Sequence, residues 1–153
     1  MLIKGIIVED FVNYKLPSMT IEFPYCTFKC GREFCQNSAI VEESNIEISE
    51  KRICEMYINN PITEAVVFQG MEPFDSPDEL LELVKALREK TNDPIVIYSG
   101  YNKDEIVDWI KALKKYKNII IKFGRYIPNQ TFVYDEILGV TLASDNQYAE
   151  KIS

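Results

Sequence analysis

A chain of 153 residues, 46% of them hydrophobic, is long enough to form one core, and we expect a single domain spanning residues 1–153. Its formal net charge is −7, which disfavours binding to nucleic acid, and it has neither a run of about 20 apolar residues nor any histidine. We therefore expect a cytoplasmic protein with no nucleic-acid or membrane partner, whose chemistry comes from a cofactor or from cysteine, carboxylate, lysine or tyrosine side chains.

The hydrophobic pattern predicts strands and helices that alternate along most of the chain. The predicted strands are Leu2–Val8, Met19–Phe23, Glu64–Gln69, Pro94–Tyr98 and Asn118–Lys122; the predicted helices are Ser49–Asn59, one from the N-cap Ser76 to about Lys90, and one capped by Asn102. The segments Phe132–Asp135 and Leu138–Leu142 fit either short strands or irregular structure.

Strands that are separated by helices of ten or more residues predict crossover connections and a parallel sheet. Four strands, starting at Met19, Glu64, Pro94 and Asn118, follow this rule. A closed eight-stranded barrel takes roughly 200–250 residues, so we expect an α/β fold with a mostly parallel sheet that forms an open, partial (β/α) barrel. Ligands of such sheets bind at the carboxyl ends of the strands. The segments expected there are Cys26–Cys35, Gly70–Pro73, Ser99–Tyr101 and Phe123–Arg125.

Three of the four cysteines, Cys26, Cys30 and Cys35, lie within ten residues of one loop, in the pattern Cys-x3-Cys-x4-Cys. Closely spaced thiolates on an irregular loop are typical of iron–sulfur and metal sites, and three ligands instead of four leave one position open for a reactant. The alternative is a disulfide, which a reducing cytosol disfavours. The fourth cysteine, Cys54, falls within a predicted helix; we expect it to be a core residue, with a role as fourth ligand as the alternative.

The cysteine loop resembles the cluster motif of radical S-adenosylmethionine enzymes, in particular the small activating proteins of anaerobic ribonucleoside-triphosphate reductase. That family's usual motif is Cys-x3-Cys-x2-Cys with an aromatic residue before the last cysteine. Here Phe34 precedes Cys35, and the second spacing is four residues instead of two. The turn Gly70-Met71-Glu72-Pro73 is similar to the family's Gly-Gly-Glu-Pro-like motif, with Met71 in place of the second glycine.

Three later segments are also similar to the activating proteins, and the resemblance extends from about Met19 to Gln147. These segments are Ile97–Tyr101, Phe123–Tyr126 and Ser144–Gln147. The resemblance implies a radical S-adenosylmethionine type of partial barrel. It also implies one 4Fe–4S cluster bound by Cys26, Cys30 and Cys35, with S-adenosylmethionine bound to the free iron. Cofactor contacts are then implied for Phe34, Gly70, Met71, Glu72, Pro73 and Ser99.

The activity implied by the resemblance is reductive cleavage of S-adenosylmethionine to methionine and a 5′-deoxyadenosyl radical. The radical would then abstract a hydrogen from a glycine in the large subunit of the anaerobic ribonucleoside-triphosphate reductase. The electron would come from a one-electron donor such as flavodoxin or ferredoxin.

Two other functions remain open on the sequence. One is a radical S-adenosylmethionine enzyme with a different protein or small-molecule substrate, because the residues that choose a target lie on the surface. The other is a non-catalytic metal-binding module in which Cys54 completes a site of four cysteines.

Overall fold

Ten strands and four α-helices make up the protein, and the computed structural model describes all of residues 1–153. The strands are β1 Leu2–Ile3, β2 Gly5–Asp10, β3 Ser18–Phe23, β4 Ile46–Glu47, β5 Ala65–Gly70, β6 Ile95–Tyr98, β7 Ile119–Phe123, β8 Val133–Asp135, β9 Val140–Leu142 and β10 Tyr148–Lys151. The helices are α1 Ser38–Val41, α2 Glu50–Ile58, α3 Pro77–Arg88 and α4 Val107–Leu113. Short 3-10 turns lie at Arg32–Phe34, Pro73–Asp75 and Lys103–Ile106.

The central sheet has six strands in the order β10-β7-β6-β5-β3-β2. Its four inner strands, β3, β5, β6 and β7, pair in parallel, which confirms the four predicted parallel strands. The sheet is open, since β2 and β10 form its two edges. The α/β architecture and the mostly parallel sheet are therefore as expected, and the sheet does not close into a barrel.

Both edges of the sheet differ from the prediction. The single strand expected at Leu2–Val8 is two: β1 pairs with β4 in a small separate sheet, and β2 pairs antiparallel with β3. At the other edge, the unpredicted strand β10 pairs antiparallel with β7. The two segments that the sequence left open form an antiparallel hairpin of β8 and β9.

The sheet separates two hydrophobic cores because side chains alternate between its faces. In β7, Ile119, Ile121 and Phe123 belong to the larger core of 22 buried residues, which also contains residues of α2, α3 and α4. Ile120 belongs to the smaller core of 8 residues on the opposite face, together with Leu142 of β9. The larger core holds the helices against the sheet, and the smaller one covers the face to which Lys122 belongs by alternation.

The helix starts predicted at Ser49 and Ser76 agree with the structure in position, whereas the segment after Asn102 begins as the 3-10 turn Lys103–Ile106 and becomes α4 only at Val107. Ser49 caps α2 as expected, since its hydroxyl accepts from the backbone N–H of Arg52 at 3.2 Å. Ser76 occupies the position before α3, yet its side chain makes no capping hydrogen bond, and its buried Oγ has no partner. No helix has the length and apolar character needed to cross a lipid bilayer.

Candidate functional site

A cavity of about 350 Å³ lies at the carboxyl ends of the four parallel strands. The convergence of segments predicted from the sequence is observed here, because all four segments contribute to its wall. Among the residues that line it are Cys26, Cys30, Phe34, Cys35, Gly70, Met71, Glu72, Ser99, Gly100, Tyr101, Gly124 and Arg125. Of the predicted site residues only Pro73 does not line the cavity; it begins a buried 3-10 turn just behind the wall.

The three clustered cysteines are free thiols that line one end of the cavity. Not one residue from position 25 to position 40 is buried, so this loop lies outside both cores. Partial burial raises the pKa of the Cys26 thiol to about 11, assisted by the nearby carboxylates of Glu72 and Asp75 and opposed by the N–H of Phe28. Burial also raises the pKa of Cys30. A metal that binds these thiols must therefore displace their protons.

The donor set fits an iron–sulfur cluster better than a single ion. No three cysteine or carboxylate side chains converge closely enough to hold one metal ion. In a 4Fe–4S cluster each thiolate binds a different iron atom. The ligand sulfur atoms therefore lie around the cluster and do not converge on a single metal ion. The three free thiols of the irregular loop all line this one cavity, so they could bind three of the four irons.

Cys54 lies away from the cavity. It belongs to α2, is 4% exposed, and packs within the larger core. Burial raises the pKa of its thiol, as expected for an inert core cysteine. This placement agrees with the prediction of a core residue and gives no support to Cys54 as a fourth ligand.

The cysteine loop is fastened to the sheet by residues that the sequence analysis did not identify. Asp75 is the central one: its carboxylate accepts from the backbone N–H of Thr27 at 2.7 Å and from the Tyr101 hydroxyl at 2.6 Å. Lys29 places its ammonium 4.4 Å from the centre of the Tyr101 ring, a favourable cation–π distance. Since Thr27 follows Cys26 and Lys29 precedes Cys30, these contacts fix the loop next to two of the thiols.

The turn after β5 requires glycine at its first position. Gly70 has φ +94°, and a Cβ at this residue would lie 2.8 Å from the Cα of Glu22 in the neighbouring strand. The turn is also tied to the cysteine loop, because the side-chain amide of Asn37 donates to the Gly70 carbonyl and the N–H of Glu72 donates to the Tyr25 carbonyl. A change in either segment therefore affects the other.

Glu72 is a nearly buried carboxylate on the cavity wall, 5% exposed. Its oxygens accept from the backbone N–H of Phe74, from the hydroxyl of Ser99 at 2.9 Å and from the N–H of Gly100 at 2.8 Å. Burial raises its pKa to about 7, although these three hydrogen bonds favour the ionised form. A carboxylate has about four acceptor positions, so Glu72 can accept one more donor, including an ammonium group in the cavity.

Lys122, near the end of β7, is a wall residue that the sequence analysis missed. It is 7% exposed, and its ammonium donates to the carbonyls of Gly124 at 2.9 Å and Ser99 at 3.3 Å. Burial lowers its pKa to about 8, opposed by nearby Glu72 and Cys30. The sequence did contain a signal, since Lys122 is the one charged residue in the otherwise apolar run Ile119–Phe123.

The far wall of the cavity comes from two segments that are distant in sequence. Val12 and Asn13 contribute from early in the chain, and β9 with Ala143 contributes from late in the chain. The Asp10 carboxylate accepts from the N–H groups of Val12 and Asn13 at 2.8 and 3.3 Å, and the Tyr98 hydroxyl donates to the Asn13 carbonyl at 2.6 Å. The Asp10 carboxylate and the Tyr98 hydroxyl thus hold segment 10–13 next to β6 at the cavity.

One family model matches the chain. It is described as the 4Fe-4S single cluster domain, and it covers residues 19–137. The matched range includes the cysteine loop, the turn after β5 and the strand that contains Lys122. Neither the curated proteins nor the solved structures contain a match to this chain.

Proposed function

The chain belongs to the family of 4Fe-4S single cluster domains, and on that premise we propose that it is a radical S-adenosylmethionine enzyme. In this proposal Cys26, Cys30 and Cys35 bind one 4Fe–4S cluster, and S-adenosylmethionine binds beside it. The supporting observation is that the three thiols share one cavity with Glu72, while the fourth cysteine is packed in the core. Three protein ligands leave one iron available to the cofactor.

When bound, the cluster would provide the one-electron chemistry for reductive cleavage of S-adenosylmethionine to methionine and a 5′-deoxyadenosyl radical. The chain's own residues position the cofactor. Glu72 accepts from its ammonium group, the Gly70–Met71 backbone approaches it closely, and Phe34, which is 45% exposed at the cavity edge, packs against its adenine. Ser99 keeps the Glu72 carboxylate oriented by donating to it.

The size of the cavity favours a macromolecular substrate. At about 350 Å³ it lies near the lower end of the range for small-molecule sites. The cluster and S-adenosylmethionine would share this volume and leave little room for a second reactant, which would approach from outside. Because the cysteine loop and three later segments resemble the activating proteins, we propose a glycine-containing segment of the anaerobic ribonucleoside-triphosphate reductase large subunit as the substrate. The proposed electron donor is a small protein such as flavodoxin or ferredoxin, which would approach the exposed side of the cysteine loop.

The decisive experiment is anaerobic reconstitution with iron and sulfide, followed by S-adenosylmethionine and dithionite. We expect a broad visible absorbance from the cluster and formation of 5′-deoxyadenosine. Cys30→Ala should bind less iron and form no 5′-deoxyadenosine, because one of three ligands is missing. Cys54→Ala is the matched control, and it should retain both signals. Wild-type protein that binds a cluster but forms no 5′-deoxyadenosine would show a non-catalytic cluster protein instead.

The substrate is tested separately by electron paramagnetic resonance. Incubation with the reductase large subunit, S-adenosylmethionine and reductant should produce the doublet of a glycyl radical. Formation of 5′-deoxyadenosine without that doublet would assign the enzyme to a different protein or small-molecule substrate.

A further inference from the structure

A second cavity, of about 420 Å³, lies on the same face of the sheet as the smaller core, at the opposite end from the cysteines. Pro94 and Asn118, which directly precede β6 and β7, line it, so it lies at the amino ends of the parallel strands. It shares no residue with the cysteine cavity. Its volume is within the range for small-molecule sites, and a bare inorganic ion would fill only a small part of it. The other residues of its wall are Tyr14, Lys15, Ile120, Glu136, Ile137 and Lys151.

Hydrogen bonds and close packing hold the walls of this second cavity together. The backbone N–H of Lys15 donates to the Leu138 carbonyl at 2.8 Å. Gly139, in the turn between β8 and β9, has φ +73°, and a Cβ there would lie 2.6 Å from the Lys15 Cβ. The Asp135 carboxylate accepts from the N–H of Leu138 at 2.9 Å and from that of Ala149 at 2.7 Å. The turn is thus fixed both to segment 14–15 and to β10.

Three polar groups on this wall are available to a ligand. Neither Lys15 nor Lys151 takes part in an ion pair. Tyr14 is 5% exposed and its ring packs in the smaller core, yet its hydroxyl has no hydrogen-bond partner, and burial alone raises its pKa. A buried hydroxyl without a partner is unfavourable, so a ligand that accepts from it is stabilised. The two ammonium groups are also a local excess of positive charge, because Glu136 is the one acidic residue on the wall.

We propose that the second cavity binds an organic phosphate of about the size of a nucleoside monophosphate. A phosphate monoester has a charge of about −1.5 to −2 at neutral pH, which two ammonium groups match better than they match a single carboxylate. Lys15 and Lys151 contact the phosphate, and the Tyr14 hydroxyl donates to the ligand. Glu136 would repel the phosphate, so we place it at the other end of the ligand, where its oxygens can accept from sugar hydroxyl groups. The site is independent of the cluster and of the proposed radical chemistry.

Binding is measured by equilibrium dialysis on the full chain reconstituted with iron and sulfide, without reductant. The ligands are the common ribonucleoside 5′-monophosphates, each compared with its own nucleoside, which lacks the phosphate. S-adenosylmethionine is present in excess, so that the nucleotides do not enter the cysteine cavity. We expect at least one monophosphate to bind about 10-fold or more tightly than its nucleoside, because only the monophosphate can pair with both lysines.

Three variants test the placement of the ligand. Lys15→Met and Lys151→Met each remove one exposed positive charge, and each should weaken binding of the monophosphate by about 3- to 10-fold without affecting the nucleoside. Tyr14→Phe keeps the ring in the smaller core, so it should melt at the wild-type temperature and bind the ligand more weakly. Lys111→Met is the matched control: it makes the same change in charge at an exposed lysine that pairs with Asp108 and lines neither cavity, and it should bind normally.

Three results would overturn the proposal. The first is that every monophosphate binds no more tightly than its nucleoside. The second is wild-type affinity in both Lys15→Met and Lys151→Met, which would place the phosphate elsewhere. The third is an equal loss of affinity in Lys111→Met, which would indicate attraction by the overall charge. Failure of the proposed function is distinguishable, since no 5′-deoxyadenosine would then form with dithionite, whereas monophosphate binding and its loss in the lysine variants would be unchanged.

Discussion

At the scale of single residues, Asp10 makes the stability of the protein depend on pH. It is 4% exposed, and burial opposes its ionisation. Hydrogen bonds from the side chains of Asn13 and Thr20 and from the backbone N–H groups of Val12 and Asn13 outweigh burial and lower its pKa below the ordinary 3.8. The ionised carboxylate is therefore stabilised in the folded protein. Its contribution is complete above the unfolded-state pKa and is lost as the pH falls through the lower folded-state pKa.

The variant Asp10→Asn should accordingly be less stable than the wild type at neutral pH, by about 1–3 kcal/mol, because an amide leaves buried donors unpaired. The difference should narrow as the pH falls from about 5 to about 3, where the wild type loses the same contribution. Urea unfolding at several pH values measures the difference in free energy of unfolding between the variant and the wild type. Glu9→Gln, the same change at the exposed neighbouring residue, is the control and should show little difference at any pH. A stability difference between Asp10→Asn and the wild type that stays constant over this pH range would contradict the role given to the Asp10 carboxylate.

At the scale of elements, the contact between β3 and β5 determines which residue can begin the turn after β5. Gly70→Ala should lower the free energy of unfolding by about 2 kcal/mol or more, because it combines a positive φ with a Cβ placed against the backbone of Glu22. Gly100→Ala is the control on the same cavity: its Cβ would lie 3.6 Å from the Glu72 Oε2, an ordinary contact. Chemical denaturation of both variants gives the comparison. Equal stabilities would show that the turn tolerates a side chain.

The sequence predicted β5, β6 and β7 well because each is a largely apolar run that follows a helix. It missed β10, since Tyr148–Lys151 is short and mixes polar with apolar residues; its strand conformation depends on hydrogen bonds with β7. The prediction that Ser76 caps α3 was right in position, but the expected side-chain hydrogen bond is absent, for a similar reason. Whether a hydroxyl accepts a hydrogen bond depends on the local backbone angles, which the residue type does not determine.

The candidate site was predictable where its residues are close in sequence or end a predicted strand. That is why the cysteines, Glu72 and Ser99 could be placed at one edge in advance. Asp75 and Lys122 were not identified, because their roles come from contacts between segments: Asp75 contacts Thr27 across 48 positions of the chain, and Lys122 contacts Ser99 across 23. A single sequence gives no measure of such distances in space.

At the scale of the whole molecule, the fold does not depend on the cysteine loop. Neither hydrophobic core contains Cys26, Cys30 or Cys35, and the structure around the loop is held by the sheet and the helices. This differs from small zinc domains, in which the energy of metal binding is the energy of folding. The protein should therefore keep its fold without metal.

Removal of iron by a chelator under anaerobic conditions should leave the far-ultraviolet circular dichroism of the protein nearly unchanged. Faster hydrogen exchange should be confined to about residues 25–40, where no side chain is buried. The chelator-treated Cys54→Ala variant is a useful comparison, because its defect lies in the core and should affect α2 instead. A cooperative loss of helical signal on chelation would show that the metal organises the fold.

The two-sided far wall of the cavity has a consequence for biosynthesis. Val12 and Asn13 leave the ribosome before the cysteine loop, whereas the β9 segment and Ala143 leave it long afterwards. A nascent chain that has released its cysteines therefore still lacks part of the cavity wall, and the cavity is more open to water and dioxygen. We therefore expect insertion of iron and sulfide after translation has ended, when both segments of the wall are in place.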